Sequence, residues 1–375
     1  MSPIPLSVLD LVPISAGSTT RDAIRNTVDL AQRTERAGYR RYWFAEHHFN
    51  PGVAGASPSV VIALVAAATD RIRLGSAGVQ LAHRTALSTV EEFGLLDARH
   101  PGRIDLGLGR SGPQLLKERA RRPATEVVER TAPNGLLIPK PASIDIVKLA
   151  SSARFAASSA LLRPDGAPPP DYAAQVADIL ALLGGTYRTP EGIEAHATPG
   201  EGADVEVWIL GSSAGLSATV AGSNGLRFAA NYHVSPASVL EAVDAYRAAF
   251  KPSDTLDRPY VAVSADVVVA GTDAEAQRLA TGYAAWVRSI RRFEGAIPFP
   301  SPEDAAALPW TGEDRELVAD RVATQFAGSP ATVTAKLAQL QEATGADELA
   351  ITTITHDHTD RVRSYELLAE AWLER

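Results

Sequence analysis

Three consecutive ionisable residues, Glu46-His47-His48, are the strongest candidates for chemistry in this chain of 375 residues. Histidine changes its charge near neutral pH, so two histidines beside a carboxylate can supply both a proton donor and a proton acceptor. The same side chains could instead ligate zinc, with His356 and His358 completing the site, but helical His-x-x-x-His spacing is absent. The sequence therefore predicts an acid–base role for at least one histidine, while the other could be structural.

A second candidate site is the segment Gly211-Ser212-Ser213, which separates an apolar strand pattern from a helical pattern. Backbone amides at a helix start, together with serine hydroxyls, can bind a phosphate group. Arg110 follows another strand pattern and would add the cation that phosphate binding usually requires. The alternative is an ordinary strand-to-helix turn with a serine cap. We interpret Arg110, Gly211, Ser212 and Ser213 together as a phosphate-binding site.

Short apolar runs alternate with helical patterns along the chain, which is typical of parallel βα units. Helical patterns follow the first strands, at about residues 21–37, 57–70 and 88–98, and another covers 171–183. The predicted strands cover residues 6–14, 42–45, 72–77, 103–108, 205–210, 227–230, 261–269 and 349–353. Eight such strands with regular spacing predict an α/β protein with a single (β/α)8 TIM barrel over residues 1–375.

Two features refine this fold prediction. A doubly wound open sheet would normally have a glycine-rich dinucleotide turn after the first strand, and Leu11-Val12-Pro13-Ile14 is not one. Between about 111 and 170 the pattern breaks into basic, proline-containing and Ala/Ser-rich pieces. We therefore expect a closed barrel with a long irregular insertion after strand four, whose apolar-rich part at 144–162 could form a lid.

Composition excludes several classes of function. The net charge of −8 gives no electrostatic preference for nucleic acid or anionic membranes. The absence of cysteine excludes disulfides, thiolate metal sites and a cysteine nucleophile. The first residues lack the pattern of a signal peptide, and the most apolar stretch, 60–68, is too short to span a bilayer. The expectation is a cytoplasmic globular enzyme without a metal.

The barrel prediction brings the candidate residues together, because active sites of such barrels lie at the C-terminal ends of the strands. Glu46-His47-His48 follow strand two, Arg110 follows strand four, and Gly211-Ser212-Ser213 follow strand five. Asn231-Tyr232-His233 follow strand six. Ala77-Gly78, at the end of strand three, are small enough to let a flat ring approach the backbone, although packing inside the barrel explains them equally well.

At these residues the chain resembles the bacterial luciferase-like, flavin-dependent monooxygenase family. The resemblance is close from about residue 4 to 112, good from 205 to 236, and poor between 113 and 200. It is carried by WFAEHHF (43–49), IRLGSAGV (72–79), HPGRIDLGLGR (100–110) and VWILGSS (207–213). The first three segments occur in the order and spacing of the family, so the match is far more specific than any single motif.

The resemblance implies roles for individual residues around a flavin. His47 matches a histidine near the reactive edge of the flavin that acts in acid–base steps, with Glu46 and His48 supporting it or lining the pocket. Ala77-Gly78 match a site where the family often has a non-prolyl cis peptide beneath the isoalloxazine ring. Glu91 falls where the family commonly has a carboxylate near the flavin.

The resemblance also implies that the phosphate-binding residues hold the phosphate of FMN. Arg110 matches a phosphate-contacting arginine, and Ser212 with Ser213 match the phosphate-binding turn. The implied activity is a monooxygenase that takes reduced FMN from a separate flavin reductase and uses O2 to oxygenate a small organic substrate. Relatives commonly dimerise through the helices after strands two and three, so a homodimer is expected.

Three alternatives remain open from the sequence. Some luciferase-like enzymes use the deazaflavin F420 for hydride transfer, and both cofactors need a seat for a phosphate and a tricyclic ring. A flavin-binding relative without turnover is a second alternative, although the retained Glu46-His47-His48 argue against it. A metal hydrolase on the same barrel is the third. The substrate does not transfer, because the part of the chain that shapes its pocket in the family, 113–200, shares little.

Overall fold

Eight parallel strands close into a barrel in the computed structural model, which describes residues 3–110, 128–143, 153–162 and 171–373. Each strand pairs with the next along the chain, and the last pairs with the first. The predicted (β/α)8 fold is therefore confirmed. The strands are β1 (Leu6–Asp10), β2 (Arg41–Phe44), β3 (Arg73–Ser76), β4 (Ile104–Gly109), β5 (Glu206–Gly211), β6 (Arg227–Asn231), β7 (Val261–Val269) and β8 (Glu348–Thr352).

Helices surround the barrel, and several begin at the side-chain caps that the sequence provides. Thr19, for example, forms a reciprocal capping box with Asp22 at the start of the first helix. The described helices are α1 (Thr20–Arg36), α2 (Pro58–Ala66), α3 (Ala86–Arg99), α4 (Ala153–Leu162), α5 (Tyr172–Leu183), α6 (Leu216–Ser223), α7 (Val239–Ala249), α8 (Asp273–Leu279), α9 (Gly282–Arg291), α10 (Pro302–Ala307), α11 (Gly312–Ala323), α12 (Pro330–Thr344) and α13 (His358–Leu373).

The strands are buried on both faces, as expected for a parallel sheet covered by helices. Because side chains alternate along a strand, one set packs against the helices and the other fills the barrel. Trp43 and Trp208 meet edge to face inside it, with ring centroids 4.8 Å apart. Small residues on the facing strands, including Ala229, Ala262 and Ala350, leave room for these two rings.

A buried arginine, Arg41 on β2, occupies the floor of the barrel below the two tryptophans. Its guanidinium lies 2.7 Å from Asp105, 2.7 Å from Glu348 and 3.1 Å from Glu206. The side chains of Arg41, Asp105 and Glu348 are completely buried. Burial alone would lower the pKa of Arg41, but the three carboxylates raise it overall, so the group stays charged. The floor of the barrel is therefore an ionic network centred on Arg41.

The first strand is shorter than predicted, ending at Asp10 instead of residue 14. Val12 adopts a positive φ of 56°, which is incompatible with extended strand geometry. The Asp10 carboxylate accepts a hydrogen bond from the Val12 amide and holds this turn. Leu11 therefore lines the mouth of the barrel instead of continuing the strand.

The largest difference from the sequence prediction lies between β7 and β8. This stretch holds five helices, α8 to α12, and a three-residue strand, Phe326–Gly328, that pairs in parallel with β7. The extra strand was missed because its apolar run is too short to give a strand pattern. The helices matter for the site, because α9 and α11 pack on each other at the barrel mouth.

The segment predicted as an insertion and lid lies partly outside the described residues, namely at 111–127, 144–152 and 163–170. Its described part contains an antiparallel pair, Arg130–Thr131 with Leu137–Ile138, and helix α4. Within the described ranges, no helix combines the length and the apolar character needed to cross a membrane.

Candidate active site

A cavity of about 400 Å³ lies at the C-terminal ends of the barrel strands. Its size is within the range of small-molecule binding sites. The structure brings most of the predicted site residues to its wall: Glu46, His47, Ala77, Gly78, Arg110, Gly211, Ser212 and Ser213. This convergence follows from the parallel barrel, in which these residues all stand at or just beyond strand ends.

Two predicted residues lie elsewhere. His48 borders a smaller neighbouring cavity of about 190 Å³, which it shares with His47 and Gln80. Glu91 is half-buried on α3 and lines neither of these cavities. Its proximity to a bound flavin therefore stays a prediction.

One wall of the cavity is formed by the end of β3. The peptide bond between Ala77 and Gly78 is cis, as the resemblance implies. A Cβ on Gly78 would come within 2.8 Å of the Gly107 carbonyl oxygen and 2.9 Å of the Gly109 amide nitrogen. Only glycine fits this close approach of two backbones. The wall consequently presents backbone and small side chains, against which a flat ring can lie.

The phosphate-seat candidates surround the start of helix α6. Arg110 follows β4, and the Ser212-Ser213 turn follows β5. The turn is held by the Ser238 hydroxyl, which donates to the Ser212 carbonyl oxygen over 2.6 Å. The N-cap of α6 is Gly215, which has no side chain to cap the first amides. A helix start of this kind, next to an arginine and serine hydroxyls, is suited to an anion.

Tyr172, at the start of α5, is a further residue of this region that the sequence did not indicate. Its buried hydroxyl lies near Ser217 and Arg110. Burial raises the pKa of Tyr172 despite the opposing effects of these two neighbours, so the hydroxyl remains protonated. It adds a neutral donor beside the arginine.

His47 lies half-buried in the wall of the cavity. Its backbone amide donates to the Gly55 carbonyl oxygen over 2.8 Å, which fixes the loop after β2. Burial and the neighbouring His48 lower the pKa of His47, and the charge of Glu46 only partly offsets them. His47 is therefore a neutral imidazole at pH 7, able to accept or donate a proton inside the cavity.

Glu46 is held firmly by its neighbours. Its carboxylate lies 2.9 Å from His48 Nε2 and 3.5 Å from Arg84. It also accepts a hydrogen bond of 2.9 Å from the backbone amide of Gln80. Burial alone would raise the pKa of Glu46, but the hydrogen bonds from His48 and Gln80 and the charge of Arg84 lower it overall. The Glu46 carboxylate is therefore ionised, and its hydrogen bonds orient His48 and the end of β3.

The opposite side of the cavity carries an ionic cluster that the sequence analysis did not select. Asp266 on β7 accepts a short hydrogen bond from the Tyr283 hydroxyl and lies 3.5 Å from Arg321. Arg321 Nε donates to the same hydroxyl over 3.0 Å. Burial raises the pKa of Asp266 to about 6, although Arg321 and Tyr283 act in the opposite direction. The sequence signal was one acidic residue inside the mostly apolar run 261–269.

His233, after β6, completes this side of the cavity. Its Nδ1 atom lies 2.6 Å from the Ser264 hydroxyl. Burial, followed by the charges of Arg321 and His47, lowers the pKa of His233 to about 3. The cavity thus contains two neutral histidines. Among the described residues, no group of three or more His, Asp or Glu side chains is arranged to hold a metal ion.

A closed (β/α)8 barrel with a ligand-sized cavity at its strand ends is typical of an enzyme. The sequence profile of the family described as "Luciferase-like monooxygenase" matches residues 4–132 and 169–348. The chain therefore belongs to the luciferase-like monooxygenase family, which supports an oxidoreductase.

Full-length relatives agree with this assignment. The chain is 36% identical to the uncharacterized protein YvbT of Bacillus subtilis (strain 168) over 99% of this chain and 97% of that protein. It is 32% identical to a luciferase-like monooxygenase of Escherichia coli (strain K12), over 97% of this chain and 96% of that protein. The crystal structure of apo-MsnO8 superposes with a TM-score of 0.78 at 31% identity, with 98% of each chain covered.

More distant structures share the fold alone. One is the oxygenating constituent of 3,6-diketocamphane monooxygenase from Pseudomonas putida in complex with FMN, with a TM-score of 0.66, 18% identity and 99% of each chain covered. Another is the coenzyme F420-dependent tetrahydromethanopterin reductase of Methanopyrus kandleri, with a TM-score of 0.58, 16% identity and coverage of 100% of this chain and 99% of that one. The fold therefore occurs with both a flavin and a deazaflavin.

Proposed function

We propose that this protein is the oxygenating component of a two-component system, which binds reduced FMN from a separate reductase and uses O2 to oxygenate a small organic substrate. One oxygen atom of O2 goes to the substrate and the other leaves as water, with bound reduced FMN supplying two electrons. The observation that supports this proposal is that one cavity combines a flat backbone wall, an anion seat and a half-buried neutral histidine.

The residues present fit FMN. The α6 start with Arg110, Ser212 and Ser213 would hold the phosphate, and the Ala77-Gly78 wall would carry the flavin ring. His47, neutral at pH 7, would hold or move a proton at its imidazole nitrogen beside the reacting atoms. Apolar side chains complete the cavity and would limit the access of water, which would protect the oxygen chemistry from wasteful side reactions.

Helix α4 supports the proposal that part of the 111–170 segment acts as a lid. Phe155 and Leu162 of this helix line the smaller cavity together with His47 and His48. The helix therefore covers the histidine side of the site. A cover of this kind would let flavin exchange with the reductase when open and exclude water when closed.

The proposed reaction is tested by stopped-flow absorbance, mixing the anaerobic protein and reduced FMN with oxygenated buffer. We expect reduced FMN to bind and to reoxidise more slowly than free reduced FMN. Reoxidation at the rate of the free flavin would contradict the proposal. The F420-dependent alternative, favoured by the fold shared with F420 enzymes, is then tested by titration with F420.

The anion seat gives a direct prediction about cofactor choice. Arg110→Ala should weaken binding of FMN by about 10- to 100-fold, because a charge-assisted hydrogen bond to phosphate is lost. Binding of riboflavin, which lacks the phosphate, should change little. Both affinities can be measured by quenching of flavin fluorescence. Equal loss for the two flavins would mean that Arg110 supports the fold of the cavity and does not bind phosphate.

The proposed homodimer is supported by exposed apolar side chains on α2 and α3. Val60 and Leu64 on α2 are 58% and 48% exposed, and Leu87 and Leu95 on α3 are 46% and 62% exposed. Leu64→Glu should convert a dimer into a monomer, because a charge would be buried at the interface. Light scattering after size exclusion measures this change. Val322→Glu on α11, 43% exposed, is the matched control and should leave the mass unchanged.

A further inference from the structure

We infer that the cavity wall formed by Trp286, Arg321 and Asp266 binds a carboxylate group of the substrate. This inference deepens the proposed function by naming a substrate class, and it rests on that proposal in taking the Ala77-Gly78 wall as the flavin side.

The position of this wall follows from the barrel. In a closed barrel of eight strands, β7 stands across from β3, four strands away in either direction. Asp266 on β7 therefore faces the Ala77-Gly78 wall across the cavity. Trp286 from α9 and Arg321 from α11 line the cavity on the same side. If the flavin ring lies on the β3 wall, the opposite side of the cavity is left for the substrate.

The guanidinium of Arg321 has N–H donors that its described neighbours do not use. Its Nε donates to Tyr283, and its Nη2 lies 3.5 Å from Asp266, which is longer than the roughly 2.7–2.9 Å of a charge-assisted hydrogen bond. Among the described residues, Nη1 has no hydrogen-bond partner. The guanidinium is buried, so its charge acts in a medium of low dielectric. Its planar fork matches the two oxygens of a carboxylate.

Trp286 provides an independent donor on the same wall. Its indole Nε1 is buried and has no hydrogen-bond partner among the described residues. A buried donor left unpaired is unfavourable, and a ligand group in the cavity would supply the missing acceptor. The Thr352 hydroxyl, in register with Asp266 on the neighbouring strand, is also buried and unpaired. These donors, with Arg321, call for an acceptor-rich anionic group.

Asp266 should make the affinity for the carboxylate depend on pH. A carboxylate beside Arg321 would bring a second negative charge close to Asp266 and raise the pKa of Asp266 above its free value of about 6. Binding would therefore take up a proton, and affinity should fall as pH rises between about 6 and 8. The other groups facing Asp266 are Tyr283 and Arg321, with His233 nearby, and none of them changes charge in this range.

The test uses two isosteric probes, 3-phenylpropionate and 3-phenylpropionamide, whose phenyl ring suits the apolar residues Ile290 and Ile354 of the cavity. Calorimetric titration near neutral pH, with and without FMN, measures both affinities. We expect the carboxylate to bind at least about ten-fold more tightly than the amide. Equal affinities, or no binding of the carboxylate, would overturn the inference.

Variants identify the residues responsible. Arg321→Gln should abolish the preference for the carboxylate. Asp266→Asn should remove the pH dependence of carboxylate binding. Trp286→Phe keeps an aromatic ring next to Tyr283, replaces the indole and its unpaired donor with a smaller phenyl, and should weaken carboxylate binding about three- to ten-fold without loss of folding. The control is Arg292→Gln, which removes an arginine next to α9 that pairs with Asp314 outside the cavity. A preference that survives Arg321→Gln would contradict the assignment.

Flavin binding is measured separately by fluorescence quenching, so that two failures can be told apart. Bound FMN without a preference for the carboxylate would refute the substrate class alone. A preference that disappears in Arg321→Gln, without any FMN binding, would support the carboxylate site and refute the proposed cofactor.

Discussion

His47→Ala should lower kcat by about 100-fold or more while changing FMN affinity by less than about three-fold. His47 lies half-buried in the cavity wall, where desolvation and the neighbouring His48 lower its pKa and keep it neutral at pH 7. A neutral imidazole can take or give a proton at the reacting atoms, and alanine cannot. Steady-state turnover with saturating reduced FMN measures the first quantity, and fluorescence titration measures the second.

The pH profile gives a second readout for His47. Because its pKa is lowered, the neutral form persists below the ordinary histidine value of about 6.5. If the neutral form is required, kcat should fall only when the pH drops below that value. The fall should disappear in His47→Ala. A fall that persists in the variant would belong to another group, and Asp266, with a pKa of about 6, is the nearest candidate.

His48→Ala is the matched control for this experiment. His48 lines the smaller cavity and lies 2.9 Å from the Glu46 carboxylate, so its loss should disturb the loop without removing the imidazole of His47. We expect a smaller loss of kcat than in His47→Ala. An equal fall in turnover and FMN affinity for His47→Ala would contradict the acid–base role and indicate that His47 positions the cofactor.

Arg41→Ala should lower the free energy of unfolding by about 3–5 kcal/mol, because it leaves buried carboxylates without their counter-ion. Asp105 and Glu348 are completely buried and each lies 2.7 Å from this guanidinium. Arg41 also lies under Trp208, with its guanidinium carbon 4.9 Å from the ring centroid, so the variant loses packing as well. Urea unfolding monitored by tryptophan fluorescence measures the change.

Arg188→Ala is the control for the ionic floor. Arg188 pairs with Glu194 at the surface, where both side chains are more than half exposed, and such pairs contribute little to stability. We expect no measurable change in that variant. A small effect of Arg41→Ala would mean that Arg73, whose guanidinium lies 2.8 Å from Asp105, can replace it as the counter-ion.

The sequence by itself determined the barrel and most of the predicted site. Each strand is a short and mainly apolar segment that can be recognised from its own residues. A parallel barrel places the C-terminal ends of all its strands at the same end of the barrel. This rule brought His47, Ala77-Gly78, Arg110 and Ser212-Ser213 to one cavity without any knowledge of their contacts. The prediction worked because the position of a residue along its strand decides at which end of the barrel it lies. The details of side-chain packing do not affect this.

Tertiary structure alone decided the other side of the cavity. Asp266, Tyr283 and Arg321 come from a strand and two helices, and they meet only because α9 and α11 fold over the barrel mouth. Glu91 illustrates the same dependence, since it lies on a helix and does not line the cavity, so its predicted proximity to a flavin depends on how α3 packs. Helix orientation depends on contacts between distant segments, and no local pattern encodes it.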